Sequence, residues 1–516
     1  MKSAQKNKNI FQIVRFVTLS ILTITIARIV FTAWMAEDAF ITMRVIDNFV
    51  NGYGLRWNID ERVQVYTHPL WLFWLTPWYA ITKEPFLTTM VASIITSILA
   101  LFVAVHLLRR KYKGGTEAYA RILFFLAPLM MMRGFVEFST SGLENPLSHL
   151  LIAIFFFVLI FGKKYKYLWL VFIASLAALN RLDHCLLFIP VLAYLYISHV
   201  PIKHWWKGLL AAFPIIGWLV FSFIYYGFPL PNTYYAKLNI LTEQSVLWKD
   251  GLYYLEDLVV RNFSGAVVLA VGILFGICIS IFARRNKDRG LILSLVLGIV
   301  LYVLYVTKIG GDFMSGRFFT APVFMTSLIL SLWLPDLLKR FSPHFMIVIT
   351  IMCVAGPVAA DIANPDHFEE WRNGVIAHER TFYNKTNLLF EGSAKPRGHT
   401  WSIWGGAEKK KTEGKARVIH MDYIGMYGYH SGPNLIIIDA HALSEPFLAR
   451  LAAQPNQRVG HYARDIPEGY LHARETGDYS LIDPVLQPLA INIKEITQYP
   501  IWSTPRWRAI WEYYRD

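Results

Sequence analysis

At 516 residues, 55% hydrophobic and 17% charged, with a mean hydropathy of +0.38, the chain is too apolar for a soluble protein of its length. Its net charge of +14 invites a nucleic-acid reading, but residues 361–516 hold 18 Lys and Arg against 19 Asp and Glu, leaving 32 against 17 in residues 1–360. The basic excess thus lies among the hydrophobic runs, where membrane loops carry it on the cytoplasmic side, and nucleic acid is set aside as a partner.

The first apolar run, roughly 16–36, follows Lys2, Lys6, Lys8 and Arg15. It is long for a signal peptide and no small-x-small cleavage site precedes Glu37, so it reads as a retained first membrane helix. Glu37 and Asp38 come directly after it. Carboxylates there can cap a helix N-terminus, yet acidic residues beside a membrane more often mark function. Residues 37–50 set Phe40, Val45 and Phe49 against Arg44, Asp47 and Asn51, the pattern of a helix lying at the membrane interface, ended by Gly52 and Gly54. Residues 68–82 are apolar but only about 15 long, where a span needs about 20. A full crossing here would also put Arg109-Arg110-Lys111-Tyr112-Lys113 on the wrong side of the membrane, so the segment reads as a shallow or re-entrant helix.

Further apolar runs fall at about 86–108, 119–133, 146–162, 167–181, 184–199, 208–226, 264–284, 290–306, 318–334 and 343–360. With the first helix they predict about eleven spans. The basic clusters 109–121, Lys163-Lys164-Lys166, Lys203 with Lys207, Arg284-Arg285-Lys287-Arg289 and Lys339-Arg340 then all lie in the cytoplasm. The N-terminus is cytoplasmic on this reading, and segment 37–85, loop 227–263, turn 307–317 and everything after 360 lie outside. Cys185, Cys278 and Cys353 all sit in apolar runs, so no disulfide framework is implied. The expected fold is an α-helical polytopic membrane module, 1–360, followed by a periplasmic α/β domain, 361–516. Strand-like runs at 417–420 and 434–438 and a helical stretch at 443–452 suggest that domain.

Several words carry more than hydropathy. They are Glu37-Asp38-Ala39-Phe40-Ile41-Thr42, Asn51-Gly52-Tyr53-Gly54-Leu55-Arg56-Trp57-Asn58 and Tyr66-Thr67-His68-Pro69-Leu70-Trp71. Later come Thr140-Ser141-Gly142-Leu143-Glu144, Arg181-Leu182-Asp183-His184, Pro231-Asn232-Thr233, Gly310-Gly311-Asp312-Phe313-Met314 with Arg317, and Asp439-Ala440-His441-Ala442-Leu443. An acidic pair after the first helix resembles the GT-C superfamily of membrane glycosyltransferases, and the words together resemble the mycobacterial terminal arabinofuranosyltransferase family over most of the chain. Glu37 stands where Asp is expected in the mycobacterial branch.

The resemblance implies transfer of a sugar, D-arabinofuranose by the family's habit, from a polyprenyl-phosphate donor to a periplasmic glycan or glycoprotein acceptor at the bacterial inner membrane. Mannose or aminoarabinose on the same fold is an alternative, and a lipid-linked-sugar flippase is one of another class. A phosphate leaving group is good, so the demands are a base for the acceptor hydroxyl and cations for the phosphate. Asp38 is assigned as the base; Glu37 shares that role, orients the acceptor, or joins Asp38 in holding a divalent cation. Lys308, Arg317 and the glycines around Asp312 suit a phosphate, or else form a tight turn with snorkelling cations. His68 is expected to line the donor site or to cap the shallow helix. Arg181 is assigned to the donor, with Asp183 its ion-pair partner. Arg44, Glu144 and Asn232 are weaker candidates for acceptor hydroxyls.

Overall fold

The computed structural model describes residues 2–237, 243–282, 287–338, 371–372, 375–383, 386–390, 398–412, 415–455 and 457–515. The expected span 343–360 and the cationic clusters at 284–285 and 339–340 lie outside them.

The chain is a multi-pass membrane protein. Among the described residues six helices are long and apolar enough to cross a bilayer: Lys8–Phe31, Pro85–Lys111, Leu182–His199, Phe263–Phe282, Arg289–Lys308 and Arg317–Asp336. Ile202–Ala211 and Phe213–Tyr226, bent by 55° at their junction, make a seventh if taken as one span. Three of the eleven expected spans are shorter helices, Thr116–Met131, Asn145–Phe161 and Lys166–Asn180, of 16, 17 and 15 residues.

Contacts group the chain into two compact units that cut across the expected boundary at 360. The first comprises Met1–Trp34, Met90–Pro214 and Gln244–Phe382. Its helices approach closely where glycine leaves room. A Cβ at Gly251 would lie 1.9 Å from the Thr307 carbonyl oxygen, and one at Gly298 would lie 2.5 Å from that of Leu187. Helices joined this way need no large apolar side chain between them, and even alanine at either glycine would force them apart.

The second unit comprises Met35–Thr89, Ile215–Glu243 and Tyr383–Asp516. Its helix Glu37–Val50 starts after an extended Ala36, and the carboxylates of Glu37 and Asp38 favour the exposed N–H groups of its first turn. Sequence pattern suggested an interfacial helix; instead nine of its 14 residues are buried, including Arg44 and Asn48. Arg44, one of the polar residues that made it look interfacial, is buried, and so is Asn48, which the pattern did not include. Asn48 Nδ2 donates to the Arg56 and Trp57 carbonyls at 3.0 and 3.1 Å. The shallow helix is Pro69–Thr82, with Pro69 in its first turn, where the missing N–H costs nothing.

Strands Arg417–His420 and Leu435–Ile438 pair in parallel with Arg417 opposite Leu435. Asn58 extends this pair as a backbone would: its Nδ2 donates to the Ile437 carbonyl and its Oδ1 accepts from the Ile437 N–H, both at 3.1 Å. The helix expected at 443–452 is reduced to a single 3-10 turn, Leu448–Arg450. The Asp439 side chain takes the N–H groups of His441, Leu443 and Ser444 and holds the segment before Pro446 as a loop.

Candidate functional site

In the second unit Glu37 of the acidic pair meets the segment between the parallel strands. Glu37 Oε1 accepts the Gly425 N–H at 2.5 Å and the Met426 N–H at 3.1 Å, both on the segment that follows the first strand. Gly425 is required there, because a Cβ would stand 2.2 Å from the Glu37 carbonyl oxygen. Burial, then the neighbouring charge of Asp38, pushes the Glu37 carboxyl up to about 8, against the pull of the two N–H groups. Asp439 closes the second strand; it is fully buried, accepts three backbone N–H groups at 2.9, 2.7 and 3.2 Å, and is pushed by burial to about 7. Asp439 also acts on Glu37 through its charge. Sequence reading quoted Asp439 within a motif but gave it no role; a carboxylate closing the apolar run Leu435–Ile438 was the available signal.

Three sequence candidates in this unit hold the fold. Arg44 is buried, stacked 4.2 Å from the Trp57 ring centre, and donates to the carbonyls of Trp57, Gly428 and Leu435 and to Ser431 Oγ. Its guanidinium ties the acidic helix to the tail, a correction to its acceptor assignment. Asn232 Nδ2 donates to the Ala442 and Leu443 carbonyls while its Oδ1 accepts from Arg450, so its side-chain amide too is occupied. His68 Nε2 pairs with Thr42 Oγ1 at 2.8 Å, joining the start of the shallow helix to the acidic helix.

In the first unit Glu144 is 1% exposed and stands between two arginines. Its Oε1 accepts from Arg181 at 2.9 Å, and Arg317 reaches both of its oxygens at 3.3 and 3.2 Å. Arg181 also grips Asp183 through Nε and Nη2 at 2.8 and 2.9 Å and lies 3.8 Å from the Phe318 ring centre. Asp312 sits 3.6 Å from Arg317. Two guanidiniums thus face three carboxylates, and the Glu144 assignment to acceptor hydroxyls gives way to that of a bridge between arginines. Asp183 is the ion-pair partner its spacing suggested.

Two of the turn's three glycines do not offer their N–H groups to an anion. Gly310 and Gly311 donate their N–H groups to Thr307 and Val306 at 3.2 and 2.9 Å, closing the helix Arg289–Lys308, and Ser315 donates to Ala377 at 3.0 Å. With φ of +88° and +78° these two positions suit glycine, and a Cβ at Gly311 would meet Tyr254 at 2.5 Å. Lys308 is exposed at that helix end.

A second pair in this unit was missed. His378 Nε2 lies 3.0 Å from Glu137, Arg133 approaches Glu137 at 3.4 Å, and Trp34 Nε1 donates to the Glu137 carbonyl at 2.9 Å. Burial alone would raise the Glu137 carboxyl, but His378, then Arg133, hold it at about 2. More than 200 residues separate Glu137 from His378 in the chain, so no local pattern links them. Among the described residues no group of three or more His, Cys, Asp or Glu side chains is placed to hold a metal ion, so a divalent cation at Glu37 and Asp38 would need ligands beyond such a group.

No protein-family model matches the chain. Two curated relatives are terminal β-(1→2)-arabinofuranosyltransferases. That of Corynebacterium glutamicum is 25% identical over 343 residues, 56% of this chain and 46% of its own length. That of Mycobacterium tuberculosis is 25% identical over 334 residues, 56% of this chain and 51% of its own length. The chain therefore spans about half the length of the curated relatives it matches. Among solved structures it is similar to ArnT from Cupriavidus metallidurans bound to undecaprenyl phosphate, with a TM-score of 0.47 at 11% identity, covering 84% of this chain and 76% of that one. Over a little more than half its length, the chain is similar to the terminal arabinofuranosyltransferases that its motifs resemble.

Proposed function

We propose that the protein is a membrane glycosyltransferase that moves D-arabinofuranose from a polyprenyl-phosphate donor to a hydroxyl of a periplasmic glycan or glycoprotein. The observation that carries this is the acidic pair: Glu37, pushed up to about 8, beside Asp38 in one helical turn, in a chain related to arabinofuranosyltransferases. Glu37 holds its proton through neutral pH, and Asp38, its neighbour in the first turn, is assigned as the base.

In the reaction the acceptor oxygen attacks the anomeric carbon, the bond from that carbon to the phosphate oxygen breaks, and the hydroxyl proton passes to Asp38. Polyprenyl phosphate leaves as the anion. Glu37, anchored on Gly425 and Met426, orients the acceptor. In the second unit His68, its ring fixed by Thr42, is assigned to the donor; in the first unit exposed Lys308 and the Arg181 and Arg317 guanidiniums, set in place by Glu144, Asp183 and Asp312, are cations of the kind a polyprenyl phosphate takes. The protein sits in a bacterial inner membrane with a cytoplasmic N-terminus and residues 361–516 in the periplasm.

The test is transfer of radiolabelled sugar by purified protein from a panel of synthetic polyprenyl phosphates carrying arabinofuranose, mannose or aminoarabinose, with mixed hydroxyl acceptors. Label moved from the arabinofuranosyl donor alone is expected. Transfer from another donor alone would keep the reaction and replace the sugar. Movement of lipid-linked sugar across vesicles without transfer would replace the enzyme by a flippase.

A further inference from the structure

The C-terminal helix Thr504–Arg515 takes part in none of the chemistry above, yet its surface is divided in an informative way. One face is internal: Arg506, Ala509 and Ile510 are buried, and Arg506 donates to the carbonyls of Ile496, Ile501 and Tyr225 at 2.8, 3.0 and 3.2 Å. At about 100° per residue the rest of the helix separates into two flanks. Arg508, Glu512 and Arg515 make a charged one, and Trp507, Trp511 and Tyr514 an aromatic one. Trp511 is 69% exposed, and Trp502, just before the helix and stacked 6.3 Å from Trp507, is 76% exposed.

The aromatic flank is joined to the apolar helix Phe213–Tyr226, half of the bent candidate span. Phe223 of that helix meets Trp507 at 6.1 Å and Tyr514 at 5.9 Å. Ile216, Val220 and Phe223 follow one another at helical spacing and so share a stripe, of which Ile216 and Val220 are exposed. An exposed apolar stripe on a membrane helix faces lipid, and here it runs directly into the indoles and phenol of the C-terminal helix. Tyr and Trp favour the boundary between acyl chains and headgroups, and arginines beside them meet lipid phosphates.

We propose that the C-terminal helix lies in the membrane interface, with Trp502, Trp511 and Tyr514 in the headgroup and acyl boundary and Arg508 and Arg515 toward lipid phosphates. The tail is then not a purely aqueous domain. Its last helix fixes the second unit to the bilayer beside the end of the Phe213–Tyr226 helix. This holds whether or not the protein transfers a sugar.

The test uses the full chain in proteoliposomes with Cys185, Cys278 and Cys353 replaced by Ser, and single spin labels at W511C, W502C and, as an aqueous reference, E475C, whose native side chain is exposed. Collision with oxygen, which partitions into the bilayer, is compared with collision with a water-soluble nickel chelate. Labels at 511 and 502 are expected to favour oxygen several-fold relative to 475. Nickel access at 511 and 502 equal to that at 475 would overturn the proposal. Shielding of both labels from both reagents with dipolar broadening between chains would also overturn it, in favour of a contact between two copies. Two label positions keep the outcome readable if one substitution disturbs the helix.

Discussion

Glu37 and Glu137 are both glutamates whose burial raises the carboxyl, and they end six units apart, at about 8 and about 2. Glu37 meets two backbone N–H groups and the charge of Asp38; Glu137 meets His378 and Arg133. Burial sets the starting point for both, and the presence or absence of a cation decides the protonation state at neutral pH. The same contrast runs through the two clusters. Glu37 and Asp439 in the second unit are held by backbone N–H groups and keep their protons within reach of ordinary pH, whereas Glu144, Asp183 and Asp312 in the first unit are matched to guanidiniums. The first kind of environment suits proton transfer, and the second suits holding charges in place.

Substitutions can break this contrast from either side. Glu144→Ala should have the largest effect on stability, because it removes charged hydrogen bonds to Arg181 and Arg317 at once, each worth about 1.5–3 kcal/mol, while Asp183 and Asp312 keep one carboxylate beside each arginine. A thermal unfolding scan in detergent should show it, and an unchanged midpoint would mean the arginines find other partners. Gly425→Ala is expected to cost about 1–3 kcal/mol, since the new Cβ must displace the start of the acidic helix. The same variant should slow transfer, because Glu37 loses its anchor; a variant that is less stable but transfers normally would separate that anchor from catalysis.

Glu37→Gln sharpens the comparison through pH. The folded protein holds the Glu37 proton up to about 8, whereas an unfolded chain releases it near 4.5. The native state therefore binds more protons between these values, and this group's contribution to stability is full below pH 4.5 and declines as pH rises toward 8. Glutamine should flatten that decline, leaving the variant more stable than the native protein at pH 8 by roughly 4 kcal/mol. Denaturant midpoints measured from pH 5 to 8.5 would check the sign, and parallel curves would place the titration elsewhere.

Sequence pattern revealed much of the fold because the signals involved are local. The apolar runs, the short helix Pro69–Thr82 and the two strands all follow from periodicity and length. The acidic pair was visible for the same reason, as two carboxylates after a long apolar run. What stayed hidden depends on partners distant in the chain. Arg44 looks like a surface cation until the carbonyls of Gly428 and Leu435 are seen to hold it. The glycines of the turn look like an anion cradle until the N–H groups of Gly310 and Gly311 are found closing a helix. Residues 443–452 have helical composition, but the Asp439 carboxylate, outside that stretch, holds its start as a loop through the N–H groups of His441, Leu443 and Ser444.

The most direct test of the account is the rate of arabinose transfer from synthetic polyprenyl-phospho-arabinofuranose by the native protein beside Asp38→Asn, with unfolding midpoints measured on both. Loss of a general base predicts a fall of about 10²–10⁴ in rate for a variant that folds as well as the native protein. Transfer by Asp38→Asn at the native rate would contradict the assignment of Asp38 as the base and, with it, the role given to the acidic helix.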